Sequence, residues 1–148
     1  MSYRKILCPI DFSPGSRDAL ATAAELARTQ HAQLVLAHVN QPPVWMLGGE
    51  FQFSAAMIQE MIDADEAELA KWQQLAKELG ATDVVKAFLT GAPWDQITRA
   101  AEQDPEIDLI VMGTHGRTGL KHVLLGSVAE KTVRHAPCSV LVVRRREA

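Results

Sequence analysis

The stretch Met112-Gly113-Thr114-His115-Gly116-Arg117-Thr118-Gly119, followed a little later by Gly126-Ser127-Val128-Ala129-Glu130, concentrates glycine, hydroxyl and basic residues between an apolar run and a helical pattern. Glycine lets a backbone turn through positive φ and lets its N–H groups approach a ligand closely. A helix start adds unsatisfied donors and the positive end of the helix dipole. Together they can cradle a phosphate. Two plainer readings fit the same residues: Gly113, Gly116 and Gly119 as ordinary turn formers, and Ser127-x-x-Glu130 as a capping box. Arg117 and Lys121 are either phosphate partners or solvated bases.

Five short runs position this stretch: Arg4 to Cys8, Gln33 to Val39, Asp83 to Leu89, Asp108 to Met112 and Ser139 to Val143. They are mostly apolar past their first residues, as parallel strands covered on both faces are. Helical patterns separate them. Ser13-Pro14 supplies a capping residue and a proline at the first helical position, ahead of an apolar face formed by Ala19, Leu20, Ala23, Ala24, Leu26 and Ala27. A second, longer pattern places Ile58, Met61, Ile62, Leu69, Trp72, Ala76 and Leu79 on one side, with Asp63, Asp65, Glu66, Glu68, Lys71 and Lys77 mostly on the wet side, and stops at Gly80. A third follows Gly91-Ala92-Pro93 and buries Trp94, Ile97 and Ala101; a fourth opens at Gly126-Ser127 and closes before Pro137. Such βα alternation predicts an α/β fold with a parallel sheet, right-handed crossovers and helices on both faces. Ligands on these sheets collect beyond the carboxyl ends of the strands, which brings Asp11, Val39, Leu89 and the stretch from Met112 into view. The irregular segment from Gln41, with Trp45, Met46 and Leu47, reads as a loop folded on the second helix, a flap or a partner contact.

Length and composition set the outer bounds. A chain of 148 residues, 47% hydrophobic and 22% charged, suits one soluble domain with its own core, without disulfides or structural metal. No apolar run is long enough to span a bilayer and no signal-peptide pattern opens the chain, so a cytoplasmic protein is expected. Cys8 and Cys138 read as reduced, largely structural thiols. The net charge of −3 is uneven: from Leu109 onward seven Lys/Arg meet two acids, a net of +5, and the preceding residues carry −8. That favours a local anion partner over the broad basic face that DNA requires. His31, His38, His122 and His135 show no metal-ligand spacing, and His38 reads as a core or sheet-end residue.

Neither G-x-x-x-x-G-K-[ST] nor a G-x-G-x-x-G after the first strand is present. The string Gly113-x2-Gly116-x9-Gly126-Ser127, with Ile6-Leu7-Cys8-Pro9-Ile10-Asp11-Phe12-Ser13, Val35-Leu36-Ala37-His38-Val39, Asp108-Leu109-Ile110-Val111-Met112-Gly113 and Ala136-Pro137-Cys138-Ser139-Val140-Leu141-Val142-Val143, resembles the universal stress protein family along the whole chain, in its ATP-binding branch. The resemblance implies a single doubly wound domain over residues 1–148, with a five-stranded sheet in the order 3-2-1-4-5 and a bound ATP whose Mg²⁺ is carried by the phosphates. It implies that Asp11 meets the ribose or adenine end, where a helix-cap role is the alternative, and that Pro9 and Ile10 shape that end. Val39 would pack on the base, and Met112 and Gly113 would line the nucleoside. Gly116, Gly126, Ser127 and Val128 would offer donors to the phosphates, with His115 placed to touch them. Ala129 stands where some relatives carry a hydroxyl, which removes one phosphate contact.

The same resemblance implies a homodimer paired through the edge strand Val140 to Val143, flanked by Arg144-Arg145-Arg146; a monomer with a charge-blunted edge is the alternative. Three functions compete: a nucleotide-dependent regulator of the stress response, a slow ATPase or nucleotidyl-transferring enzyme, and an interaction module without nucleotide. Phosphoryl transfer needs a positioned base and charge clamps, for which His115, Arg117 and Lys121 are loose candidates. No catalytic residue is assigned, and the H-x-G-H pattern of adenylyl transfer is absent because Arg117 follows Gly116.

Overall fold

The computed structural model describes residues 2–41, 54–115 and 125–145. Gly116, Arg117, Thr118, Gly119, Lys121, His122, Trp45, Met46, Leu47 and Arg146, invoked above, lie outside the described residues. The elements run β1 (Lys5–Pro9), α1 (Pro14–Gln30), β2 (Gln33–Asn40), α2 (Ala55–Glu78), β3 (Val84–Thr90), α3 (Pro93–Gln103), β4 (Leu109–Gly113), α4 (Ser127–His135) and β5 (Ser139–Val143). All pairings are parallel, in the order β3-β2-β1-β4-β5, so the expected doubly wound fold is the one observed.

Alternation along each strand divides the core in two. Ile6, Cys8, Leu34, Leu36, Leu109 and Val111 point to one face, under α1 and α2. Leu7, Val35, Ala37, Ile110 and Met112 point to the other, under α3 and α4. Alanines fill the α1 side of the first layer, which lets that helix lie close to the sheet. The connection from β1 leads outward to β2 and that from β4 outward to β5, so the β1–β4 seam is the switch point at which a cleft opens.

Four strands begin or end one residue from expectation. The Asp108 carboxylate accepts from the N–H groups of Arg4 and Lys5 at 3.0–3.2 Å, tying the start of β1 to the residue before β4. Ser13 caps α1 as predicted, its hydroxyl accepting from Ser16 N at 3.2 Å. Gly80 follows the α2 cap at φ +108. The apolar stripe of α2 is only half used: Leu69, Trp72 and Ala76 are buried, whereas Ile58, Met61 and Leu79 are 40%, 46% and 43% exposed. Trp94, expected in the core, is half-buried and packs its ring on His135 with centroids 5.0 Å apart.

Candidate functional site

A cleft of about 920 Å³ opens at the carboxyl ends of β1, β2 and β4. Pro9, Ile10, Asp11, Val39, Met112, Gly113, His115, Gly126, Ser127 and Val128 all line it, so every predicted site residue within the described residues comes together there. Asp11 also serves the helix, which was its alternative role. Its Oδ1 accepts from Ser13 N at 3.0 Å and from Ser16 Oγ at 2.6 Å, while its own N–H donates to Ser16 Oγ at 2.9 Å. The carboxylate is thereby fixed at the head of α1 and at the cleft wall.

The opposite end of the cleft is the start of α4. Gly126 is the N-cap and makes no side-chain cap bond, so Ser127 is the first helical residue and the capping-box reading of Ser127 and Glu130 does not hold. Gly126 also departs from its expected role as a phosphate donor, because its N–H is spent on the Thr114 carbonyl at 2.7 Å. The helix ladder starts with Glu130 N–H on the Gly126 carbonyl at 3.0 Å. The N–H groups of Ser127, Val128 and Ala129 precede that bond and carry the positive end of the dipole. Ala129 offers a backbone donor despite its missing hydroxyl.

Glycine is required here for close approach. A Cβ on Gly113 would lie 3.0 Å from the Gly15 carbonyl oxygen, and one on Gly126 would lie 3.0 Å from that of Thr114. A Cβ on Gly15 would come within 2.8 Å of the His115 carbonyl oxygen. The exit of β4 thus runs tightly between the first turn of α1 and the first turn of α4. Gly15 escaped the sequence reading; its signal was the Pro14-Gly15 pair at a helix start. His115 sets Nδ1 3.2 Å from Thr114 Oγ1, and its buried Nε2 has no hydrogen-bond partner among the described residues. A buried ring nitrogen at the wall of the cleft fits an acceptor or donor brought by a ligand.

His38, Asp65, Asn40, Met61 and Thr114 also line the cleft and were missed as site residues. His38 is buried, as expected, but at the wall of the site, where its Nε2 lies 3.4 Å from the partly exposed carboxylate of Asp65 on α2. Among the described residues no group of three or more His, Cys, Asp or Glu is placed to hold a metal. None of their helices is long and apolar enough to cross a membrane. Cys8 and Cys138 are free thiols; burial pushes Cys8 up to about 12, and burial with the nearby Asp108 charge raises Cys138.

Fold and site together define a doubly wound α/β protein with a helix-capped cleft at its switch point. Residues 2–144 match the universal stress protein family, to which the chain belongs. It is 36% identical over 144 residues to universal stress protein MJ0531 of Methanocaldococcus jannaschii, covering 97% of this chain and 83% of that protein. Among solved structures, universal stress protein UspA from Lactobacillus plantarum aligns with a TM-score of 0.80 at 30% identity, over 97% of this chain and 99% of that one. A universal stress protein in complex with cAMP aligns at 0.75 and 26% identity, over 97% and 98% of the two chains. One from Archaeoglobus fulgidus in complex with dAMP aligns at 0.65 and 26%, over 96% and 98%.

Proposed function

We propose that the cleft binds an adenine nucleotide, ATP with Mg²⁺ held through its phosphates, and that the protein is a cytoplasmic nucleotide-dependent regulator in the stress response. The observation that carries this reading is the α4 N-terminus at one end of the cleft, with the buried Nε2 of His115 beside it, which has no hydrogen-bond partner among the described residues. Ser127, Val128 and Ala129 N–H groups with the Ser127 hydroxyl would receive phosphate oxygens, as helix starts do. Asp11 would accept from a ribose hydroxyl or the adenine amine, with Val39 and Met112 against the nucleoside. The cAMP and dAMP complexes of the two relatives support an adenine nucleotide of some kind. Bound ATP supplies charge and a cleavable phosphate; binding shifts the population of one conformation, and a partner reads it.

A homodimer through β5 is part of the same reading. The strand lies at the sheet edge, and Leu141 on it is 39% exposed, with Val133 on neighbouring α4 at 49%. Paired edges remove an aggregation hazard.

Calorimetric titration of the nucleotide-stripped protein with Mg-ATP tests the site, alongside Ser127→Asp. An acid in the first turn suits the helix dipole, so the variant folds, while its charge repels phosphate. Saturable binding in the parent, its loss in the folded variant, and negligible turnover are expected. Absence of binding in the parent refutes the reading, and turnover lost in His115→Ala with binding retained would make the protein an ATPase.

A further inference from the structure

We propose that His38 is a proton-dependent positioning residue for the cleft: doubly protonated, it fastens Asp65 of α2 to the turn that presents Asp11, and ligand affinity falls when the proton leaves. The inference rests on the nucleotide reading above and names a regulation of that same site.

His38 sits near the end of β2 with its side chain 7% exposed. Its Nδ1 lies 2.7 Å from the Ile10 carbonyl oxygen. A carbonyl only accepts, so Nδ1 carries a hydrogen. Its Nε2 lies 3.4 Å from Asp65 Oδ2, and an ionised carboxylate also only accepts. A neutral imidazole has one N–H, and with Nδ1 committed to Ile10 its Nε2 lone pair would face the carboxylate. The imidazolium answers both acceptors.

The ring also stacks on Phe12, with centroids 4.3 Å apart and planes at 22°. Phe12 has φ 66, a left-handed conformation that a bulky residue adopts only when its surroundings impose it. Ile10 and Phe12 flank Asp11, so the imidazole touches both neighbours of the residue that faces the ligand. Ile10, Asp11, His38 and Asp65 all line the cleft. Protonation therefore couples the α2 wall to the β1–α1 turn.

Among the described residues, few charged side chains of the surrounding elements are in contact with the His38, Phe12 and Trp72 rings. From α2 come Asp65, in ion-pair contact, and Glu68, which accepts from Trp72 Nε1 at 3.3 Å and pairs with Lys71. Asp11 on the β1–α1 turn is bonded to Ser13 and Ser16. On β3, Lys86 is exposed and stands two residues before Phe88, whose ring lies 5.6 Å from the imidazole. Pro9 and Ile10 of the β1 end bring no charge.

Mg-ATP affinity of the full chain, measured from about pH 5.5 to 8, where histidines change charge, tests the proposal. The comparison is Asp65→Asn, whose amide can donate to a neutral Nε2, with His38→Asn keeping the donor to Ile10 and removing the titration. The parent's affinity is expected to fall about fivefold or more as pH rises, and neither variant to show that fall. Titration of the nucleotide's own phosphate is common to all three proteins, so the difference between profiles is the readout. A parent profile that coincides with those of the variants overturns the proposal. If no protein binds Mg-ATP, the nucleotide reading fails by itself, and hydrogen exchange of the α2 amides around Asp65 decides the coupling in the free protein. Protection lost at high pH in the parent relative to Asp65→Asn supports it, and equal protection at every pH overturns it.

Discussion

Gly126 donates its backbone N–H to the Thr114 carbonyl at 2.7 Å, and the same closeness leaves a Cβ at position 126 only 3.0 Å from that oxygen. The bond clamps the exit of β4 onto the head of α4 and orients the first-turn N–H groups of the helix. Gly126→Ala should therefore displace α4 from Thr114, destabilising the fold by about 1–3 kcal/mol as overpacking does. Urea denaturation read by circular dichroism would show the shifted midpoint, and an unchanged midpoint would mean that the contact yields freely.

Ser13 has an analogous part at α1. Its hydroxyl accepts from Ser16 N, and Asp11 in turn accepts from Ser13 N and Ser16 Oγ. Ser13→Ala should cost about 1 kcal/mol of stability, the usual value of a lost N-cap. Because Asp11 hangs on the same turn, Mg-ATP affinity should weaken as well, which calorimetry on the folded variant would detect.

The buried Cys8 gives a pH prediction. Burial lifts its folded pKa from 9.0 to about 12, so the unfolded chain releases the thiol proton first as pH rises. Stability contributed by the neutral thiol is complete below pH 9 and declines toward pH 12, and Cys8→Ser or Cys8→Ala should flatten that alkaline slope. A disulfide-exchange reagent at neutral pH should label Cys138 first and reach Cys8 only at the rate of unfolding.

Asp104 supplies the acid counterpart. A hydrogen bond from Lys5 lowers its carboxyl pKa, against a smaller opposing effect of burial, with the Glu106 N–H and the Lys5 charge adding to the lowering. Stability from this pair is present above the ordinary carboxylate range and is lost as pH falls through the depressed value. Lys5→Met should remove that acid-side loss, which thermal melts at a series of acidic pH values would reveal.

At the β5 edge, the proposed homodimer predicts that Val142→Lys shifts sedimentation from dimer to monomer without unfolding the sheet. A dimer of unchanged affinity would locate the seam elsewhere.

The βα alternation, the four helices and a phosphate-cradle stretch beyond β4 could be read from residues such as Ser13-Pro14 and Gly126-Ser127, whose local chemistry determines their place, whereas the strand order and the roles of the individual cleft residues came only through the family resemblance. Other positions could not. The stripe of α2 shows which side of the helix is apolar but not how far the sheet extends beneath it, so Ile58 and Met61 were expected inside and lie outside. Ser127 has capping-box spacing, yet Gly126 takes the cap because its N–H already meets Thr114. His38 of β2 and Asp65 of α2 are 27 positions apart in sequence and meet only once α2 is docked, and no spacing rule announces such a pair.

The cleft straddles the β1–β4 seam, and one bond along that seam, from Lys5 N–H to the Asp108 carboxylate, joins residues 103 positions apart. Closing so long a loop carries an entropic penalty before any contact at the seam rewards it. A chain that has emerged only as far as β2 lacks the β4 and α4 residues that line the cleft. The affinity proposed for the cleft would therefore belong only to the finished molecule, and a nucleotide present during refolding would report completion rather than assist the early steps.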